Sequence, residues 1–185
     1  MTEVFMRRLT RWQAEQQREA IADTYVEAYL RAPGEEFHDR QRFLERFVED
    51  MQRPGFDMMV GDGPSLAGCA YGYRLEREGA LWRGFRGGVP KDLEELTASG
   101  QVMVLAELMV LPEFRRRRVA SRLVEQLLIR SRSALVAALA EPANTPVTSA
   151  FQAWGWHLLG EVQPDQDGPL LEAWGRNIEH AGSAG

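Results

Sequence analysis

The sequence predicts one α/β domain built on a mixed β-sheet in which most neighbouring strands run antiparallel. Two apolar runs, residues 56–60 and 66–75, flank the turn sequence Gly-Asp-Gly-Pro, a pattern typical of an antiparallel hairpin. A nearly continuous apolar run at 102–111 precedes an amphipathic stretch and a further apolar run at 134–139. Strand–helix–strand order of this kind requires a parallel pair, so the sheet is mixed.

Length and composition fit one globular domain and exclude several functional classes. The chain has 185 residues, 44% of them hydrophobic, and a net charge of −5, which argues against a nucleic-acid partner. Its single cysteine excludes a disulfide framework and a Cys-rich zinc site, and we expect no metal. The N-terminal sequence is not signal-like and no segment reaches membrane-spanning length, so we expect a cytoplasmic protein with no membrane partner. We assign residues 1–176 to the domain and 177–185 to a disordered tail.

Periodicity and turn residues predict the elements of the first half. Residues 4–9 form a strand, and apolar residues at three- and four-residue steps predict a helix over 13–30 that ends before Pro33-Gly34. Asp39 caps a second helix that extends to about Met51, and the two hairpin strands follow. The connection 76–100 is longer than most, which is typical of functional or mobile loops.

The second half begins with the buried strand at 102–111. A helix over 115–132, a strand at 134–139 and a helix from Asn144 or Thr145 to Gly155 follow it. Strands at 157–162 and 170–174 close the sheet. The predicted order is β-α-α-β-β-β-α-β-α-β-β.

Four consecutive arginines, residues 115–118, stand where that helix is predicted to begin. The N-terminal end of a helix carries the positive end of the backbone dipole and unpaired N–H groups, so it disfavours cations. Two interpretations follow. The guanidinium groups extend into solvent, or a polyphosphate binds at the helix end. The buried strand before the run favours the polyphosphate.

With its flanks, this run resembles the acyl-CoA-binding segment of the GNAT superfamily of CoA-dependent N-acyltransferases. That family carries Val-x-Pro-x-x-Arg-Gly-x-Gly-x-Gly/Ala and then a leucine-bearing helix. The matching residues are Val110, Pro112, Arg115, Ala120 and Leu123. Arg116 and Arg118 replace the two glycines. Arg118 removes the freedom with which a glycine lets a phosphate approach the backbone, although the helical backbone angles expected here do not require glycine.

A second segment supports the same resemblance. NTPVTSAFQAWGW, residues 144–156, resembles the family's Asn-x-x-Ala-x-x-x-Tyr-x-x-x-Gly-Phe helix, and the order of elements agrees over essentially the whole chain. The resemblance implies a mixed, mostly antiparallel central sheet with a splayed parallel strand pair and helices on both faces.

The resemblance also implies the cofactor, acetyl-CoA or another short acyl-CoA. Backbone N–H groups of the loop and the first helical turn would hold its pyrophosphate, and the edge of the preceding strand would pair with its pantetheine. We expect Arg116, Arg117 and Arg118 to project outward onto the phosphates. The residues expected to contact the cofactor are Leu108, Met109, Val110, Arg115, Arg116, Arg117, Arg118, Val119, Ala120, Ser121, Asn144 and Phe151.

Acyl transfer to an amine needs a base, a donor that polarises the thioester and a proton for the thiolate. The resemblance assigns the thioester to the N–H of Met109 or Val110, and Glu107 is the candidate base. A salt bridge to an arginine, or an edge carboxylate facing water, would equally explain Glu107. Phe151 occupies the position of the family's proton-donating tyrosine and cannot donate a proton. We therefore assign that role to Thr148, which would otherwise be only a hydroxyl on the helix surface. Protonation by water, or departure of the thiolate without a proton donor, are the alternatives.

The function implied is transfer of an acetyl or other short acyl group from acyl-CoA to a primary amine by direct attack in a ternary complex. The acceptor is a small molecule, a peptide N-terminus or a lysine. An acidic segment around His38 would attract an amine, although solvation of surface charge explains it equally well. A CoA-binding regulator without catalysis is the alternative, because Phe151 and the missing glycines depart from the family. Homodimer formation is expected by family habit alone.

Overall fold

The structure is a computed structural model that describes residues 3–30 and 39–180. This part of the chain holds seven strands and six helices. The strands are β1 Phe5–Leu9, β2 Asp57–Asp62, β3 Leu66–Arg74, β4 Val102–Val110, β5 Leu135–Ala140, β6 His157–Val162 and β7 Leu171–Asn177. The helices are α1 Arg11–Gln16, α2 Arg18–Tyr29, α3 Arg40–Met51, α4 Lys91–Ala98, α5 Val119–Leu128 and α6 Thr145–Ala153.

The strands form one mixed sheet in the order β1-β2-β3-β4-β5-β7-β6. The pairs β1–β2, β2–β3, β5–β7 and β6–β7 are antiparallel, and β4–β5 is parallel. The predicted fold class is therefore confirmed, including the hairpin and the parallel pair. The chain divides into two compact units: a first unit of Met1–Tyr73 and Ala106–Arg130, and a second unit of Arg74–Leu105 and Ser131–Gly185.

Helices cover both faces of the sheet in the first unit. A side chain added at Gly61 would meet Val119 of α5 at 3.6 Å, so this face of β2 lies under α5. Met58, three residues earlier, points to the opposite face, because side chains alternate along a strand. Its cross-strand partner Tyr71 packs there against Phe47 of α3, with ring centroids 5.1 Å apart.

Aromatic rings build the core beneath α2 and α3. Tyr25 stacks on Phe43 at 4.4 Å and Phe43 on Phe47 at 5.6 Å between centroids. The rings recur at the four-residue step that places side chains on one helix face. Asp39 caps α3 as predicted, since its carboxylate accepts from the Arg42 N–H at 3.0 Å.

The second unit packs a tryptophan cluster against β7. Phe151 of α6 stacks on Trp156 at 4.5 Å between centroids and lies 6.2 Å from Trp174. Only 3% of Phe151 is exposed. This ring belongs to the hydrophobic core of its unit.

Outside the arginine run, three segments differ from the sequence prediction. The helix expected over 13–30 is two helices, which meet at Gln17. The connection 76–100 contains α4 and the 3-10 turn Ala80–Trp82, and the Trp82 indole N–H donates to Thr97 at 2.9 Å, so this segment is ordered structure. Residues 177–180, which the sequence placed in the tail, continue the fold, because the Ile178 N–H donates to the Ala134 carbonyl at 2.8 Å.

Candidate functional site

The arginine run lies in a loop and not at the start of a helix. After β4 the chain makes a 3-10 turn, Pro112–Phe114, and α5 begins only at Val119. The expectation of a helix from Arg115 was therefore wrong. So was the expectation of helical angles at the glycine positions, because Arg116 and Arg118 have φ of +63° and +60°. Glycine tolerates this left-handed region, and other L-residues occupy it at a cost.

This backbone presents a row of N–H groups. Among the described residues, the backbone N–H groups of residues 116–121 make no well-aligned hydrogen bond to a backbone carbonyl. Arg118 is the N-cap of α5 and provides no side-chain cap. Left-handed residues alternating with ordinary ones turn successive N–H groups toward one concave side, the geometry that binds anions in phosphate loops. The helix dipole adds to the same potential.

The four arginines have different surroundings. Arg115 donates through Nε to the Val110 carbonyl at 3.1 Å and through Nη2 to the Ala28 carbonyl at 2.6 Å. Arg116, Arg117 and Arg118 are exposed, as the sequence predicted. A shallow depression of about 470 Å³ beside the loop is lined by Met6, Arg118, Ser121, Arg122, Glu125 and Gln126.

In the C-terminal half of β4, the backbone N–H and carbonyl groups of every second residue point away from β3. The Leu111 N–H donates to Ala67 of the β3 strand at 2.8 Å, and N–H groups alternate between the two edges of a strand. The backbone N–H and carbonyl groups of Val110 and Leu108 therefore point to the opposite edge of β4. There the Leu108 carbonyl accepts from the Tyr29 hydroxyl at 3.1 Å. The parallel register with β5 ends at Val104.

Glu107 is a buried carboxylate held by two side-chain donors. Its side chain is 10% exposed; Oε1 accepts from the Tyr29 hydroxyl at 2.9 Å and Oε2 from Arg46 Nη2 at 3.0 Å. Burial raises the pKa of Glu107 above its ordinary value, although Arg46, Tyr29 and the Leu108 N–H all favour the carboxylate. The salt bridge that the sequence left as one interpretation of Glu107 is present, with Arg46 as the partner.

Sequence reasoning missed Tyr29 and Arg46. Burial and the neighbouring Glu107 raise the pKa of Tyr29 well above its usual value, so its hydroxyl keeps its proton and remains a donor. Arg46 lies over the rings of Tyr25 and Phe43, with its guanidinium carbon 5.9 and 5.6 Å from their centroids. The one available signal was chemical: a carboxylate inside an apolar strand needs donors, but the sequence does not say which ones.

The remaining predicted site residues belong to the second unit. Asn144 precedes α6 as predicted but makes no side-chain cap. The Thr148 hydroxyl donates to the Thr145 carbonyl at 3.3 Å within the same helix. The predicted site residues thus fall into two groups: residues 107–121 lie in the first unit, and Thr148 and Phe151 lie on α6 of the second unit, directly after Asn144. The acidic segment at 35–38 lies outside the described residues.

Two classes of site find no support in the described part of the chain. Residues 3–30 and 39–180 contain no group of three or more histidine, cysteine, aspartate or glutamate side chains placed to hold a metal ion. No helix in the same residues has the length and apolar character needed to cross a membrane.

Together, the fold and the site define a class of protein. It is a mixed-sheet α/β protein whose central strand leads into a loop of the anion-binding type. The family model of the GNAT acetyltransferases matches residues 14–156. The chain belongs to that family.

Solved structures show the same fold at low sequence identity. The chain is 15% identical to yncA from Salmonella typhimurium, which was solved with its cofactor acetyl-CoA. The alignment covers 97% of this chain and 96% of that one, with a TM-score of 0.62. PH1933 from Pyrococcus horikoshii is 14% identical, with 96% and 99% covered and a TM-score of 0.65. The ribosomal-protein-S18-alanine N-acetyltransferase of Escherichia coli is 14% identical, with 98% and 97% covered and a TM-score of 0.62. No curated protein sequence matches the chain.

Proposed function

We propose that the protein transfers an acetyl or other short acyl group from acyl-CoA to a primary amine by direct attack in a ternary complex. The observation that carries the proposal is the row of backbone N–H groups at residues 116–121, which make no well-aligned hydrogen bond to a backbone carbonyl. It stands at the segment whose sequence resembles the acyl-CoA motif, in a chain of the acetyltransferase family.

In this proposal the loop holds the pyrophosphate of CoA. The backbone N–H groups of residues 116–121 donate to phosphate oxygens, as helix N-termini and phosphate loops do. The exposed guanidinium groups of Arg116, Arg117 and Arg118 supply charge to the phosphates, including the 3′-phosphate. At Arg115, Nε and Nη2 serve the Val110 and Ala28 carbonyls and the backbone N–H donates to the Pro112 carbonyl at 3.3 Å, so we assign the pyrophosphate to the N–H groups that follow it.

The edge of β4 receives the pantetheine and the thioester. Of the two N–H groups that the sequence offered for the thioester carbonyl, we assign Val110. The Val110 N–H points away from β3. The backbone of Met109 faces β3 instead, because its carbonyl oxygen would lie 2.3 Å from a Cβ added at Gly68. An N–H aimed at the developing oxyanion stabilises the transition state.

Glu107 is the proposed base for the acceptor. Transfer forms a C–N bond and breaks the C–S bond, and an ammonium acceptor loses two protons on becoming an amide. One passes to Glu107, directly or through water, and then to solvent; the other ends on the CoA thiolate. A raised pKa suits a carboxylate to take a proton from an ammonium. In this proposal the Thr148 hydroxyl or a water relays the second proton: it gives a proton to the thiolate and takes the acceptor's proton in return.

Two measurements test this proposal. Release of CoA thiol from acetyl-CoA is followed over a panel of primary amines, with wild type beside Glu107→Gln. Acetyl-CoA binding is measured at low salt for wild type and for the triple variant in which Arg116, Arg117 and Arg118 become Ala. We expect amine-dependent thiol release that Glu107→Gln lowers about 10²-fold or more, and weaker binding by the triple variant.

The outcomes separate the alternatives. Tight acetyl-CoA binding with no thiol release on any amine would favour the regulator over the enzyme. Unchanged binding by the triple variant would refute the phosphate role of the three arginines.

A further inference from the structure

Arg46 of α3 holds its guanidinium beside Glu107 while remaining open to solvent. Its side chain is 48% exposed, against 10% for Glu107. A buried carboxylate needs donors, and Arg46 supplies one of them. The rest of its half-exposed guanidinium is open to solvent beside the proposed base.

The position of this guanidinium is fixed. The rings of Tyr25 and Phe43 lie within 5.9 and 5.6 Å of its central carbon, and such cation–ring contacts hold an arginine in place. Nη2 donates to Glu107 Oε2 at 3.0 Å. Burial lowers the pKa of Arg46, but the combined effect of Glu107, Tyr71 and Tyr25 outweighs it, so the pKa is raised and the group is always charged.

An arginine carries five N–H donors in a planar fork, more than its bonds to Glu107 and Tyr25 use. Any amine that Glu107 deprotonates must approach the same carboxylate, so the guanidinium lies within the span of a small acceptor. A second cation on the acceptor would be repelled there, and a carboxylate would gain a charge-assisted hydrogen bond.

We infer that Arg46 is a specificity-determining residue that selects acceptors with a carboxylate beside the amine, the arrangement found in an amino acid. In this arrangement Glu107 takes the proton from the amine and Arg46 binds the carboxylate. The inference rests on the proposed function, because it takes Glu107 as the group next to the acceptor amine.

The test compares matched acceptors that differ only in this charge. L-Alanine, L-leucine and L-phenylalanine are each assayed beside the corresponding amino acid amides. For every acceptor, kcat/KM is calculated from the concentration of the unprotonated amine. Wild type is compared with Arg46→Gln and Arg46→Lys. Arg42→Gln is the control: it removes an arginine from the same helix, and Arg42 is 72% exposed with its ion pair to Asp39.

Wild type should prefer each acid over its amide by about tenfold or more, the value of a hydrogen bond to a charged group. Arg46→Gln should abolish the preference through KM, Arg46→Lys should keep part of it, and Arg42→Gln should leave it intact. Turnover without preference for the acid, or a preference that survives in Arg46→Gln, overturns the inference and leaves the proposed function standing.

A second readout does not depend on turnover. Calorimetry in the presence of CoA measures binding of N-acetyl-L-phenylalanine and its amide, which are the product form of one matched pair. Tighter binding of the acid by wild type, lost in Arg46→Gln, supports the inference even if every amine fails to react. Equal binding of acid and amide, or binding of neither, overturns it. A thermal unfolding scan of each variant shows that the fold is retained.

Discussion

The left-handed arginines of the loop predict an unusual stability effect. Replacing Arg116 and Arg118 by glycine should stabilise the protein, although glycine usually destabilises. Both residues have φ near +60°, where the Cβ of an L-residue crowds the backbone. The informative comparison is glycine against alanine at each position, because both remove the same guanidinium and differ only in the Cβ.

The magnitude follows from the backbone. A non-glycine residue in this region costs about 1–2 kcal/mol, and the greater freedom of glycine in the unfolded chain offsets about 0.4–1 kcal/mol. We expect each glycine variant to exceed its alanine counterpart by about 0.5–1 kcal/mol in free energy of unfolding. For the double pair that is about 1–2 kcal/mol, or roughly 2–8 °C in Tm for a chain of this length.

Urea unfolding of the protein without ligand measures the difference. Arg117 is the internal control, because it lies between the two positions and its φ is negative. There the sign should reverse, with Arg117→Gly less stable than Arg117→Ala by about 0.5–1 kcal/mol. If glycine were no more stable than alanine at positions 116 and 118, the strain assigned to this loop would be refuted.

Three further predictions concern the first unit. Gly68→Ala places a Cβ 2.3 Å from the Met109 carbonyl oxygen, so it should lower the free energy of unfolding by about 1–3 kcal/mol in urea, and an unaffected midpoint would contradict that packing. Burial raises the pKa of Asp50, so the folded state binds the Asp50 proton more tightly than the unfolded chain does. The free energy of unfolding should therefore fall as the pH rises from about 4 through the raised pKa, and Asp50→Asn should flatten this slope. Burial also raises the pKa of Glu107, so kcat/KM should fall as pH drops through a value above the usual glutamate range. Glu107→Gln should remove that dependence, and an unshifted acid limb would exclude Glu107 as the base.

Strands and helices with a clear period were predictable, and backbone conformations without a residue signature were not. The hairpin β2–β3 and the buried strands β4 and β5 follow from their apolar runs. Arginine gives no sign of a left-handed backbone, so the sequence predicted a helix from Arg115 where the chain makes a turn. The eight residues of α4 were missed because a glycine-rich stretch precedes them and the helix is short.

The candidate site shows the same division. Glu107 could be selected from sequence, because a carboxylate in an apolar strand must be solvated by something. Its partners could not, since Arg46 and Tyr29 stand 61 and 78 residues away along the chain. Only the packing of α2 and α3 on the sheet determines which of many arginines and tyrosines reaches it.

The arginine run also bears on how the chain tolerates change. Arg115 joins the end of α2 to the exit of β4 through two carbonyls, a bridge that the single ammonium of lysine cannot reproduce with the same planar fork. The next three side chains make no such bridge. The four arginines therefore differ in what they contribute to stability. In a saturation library selected for folded protein alone, we expect position 115 to tolerate no replacement and positions 116–118 to accept other residues, with glycine enriched at 116 and 118.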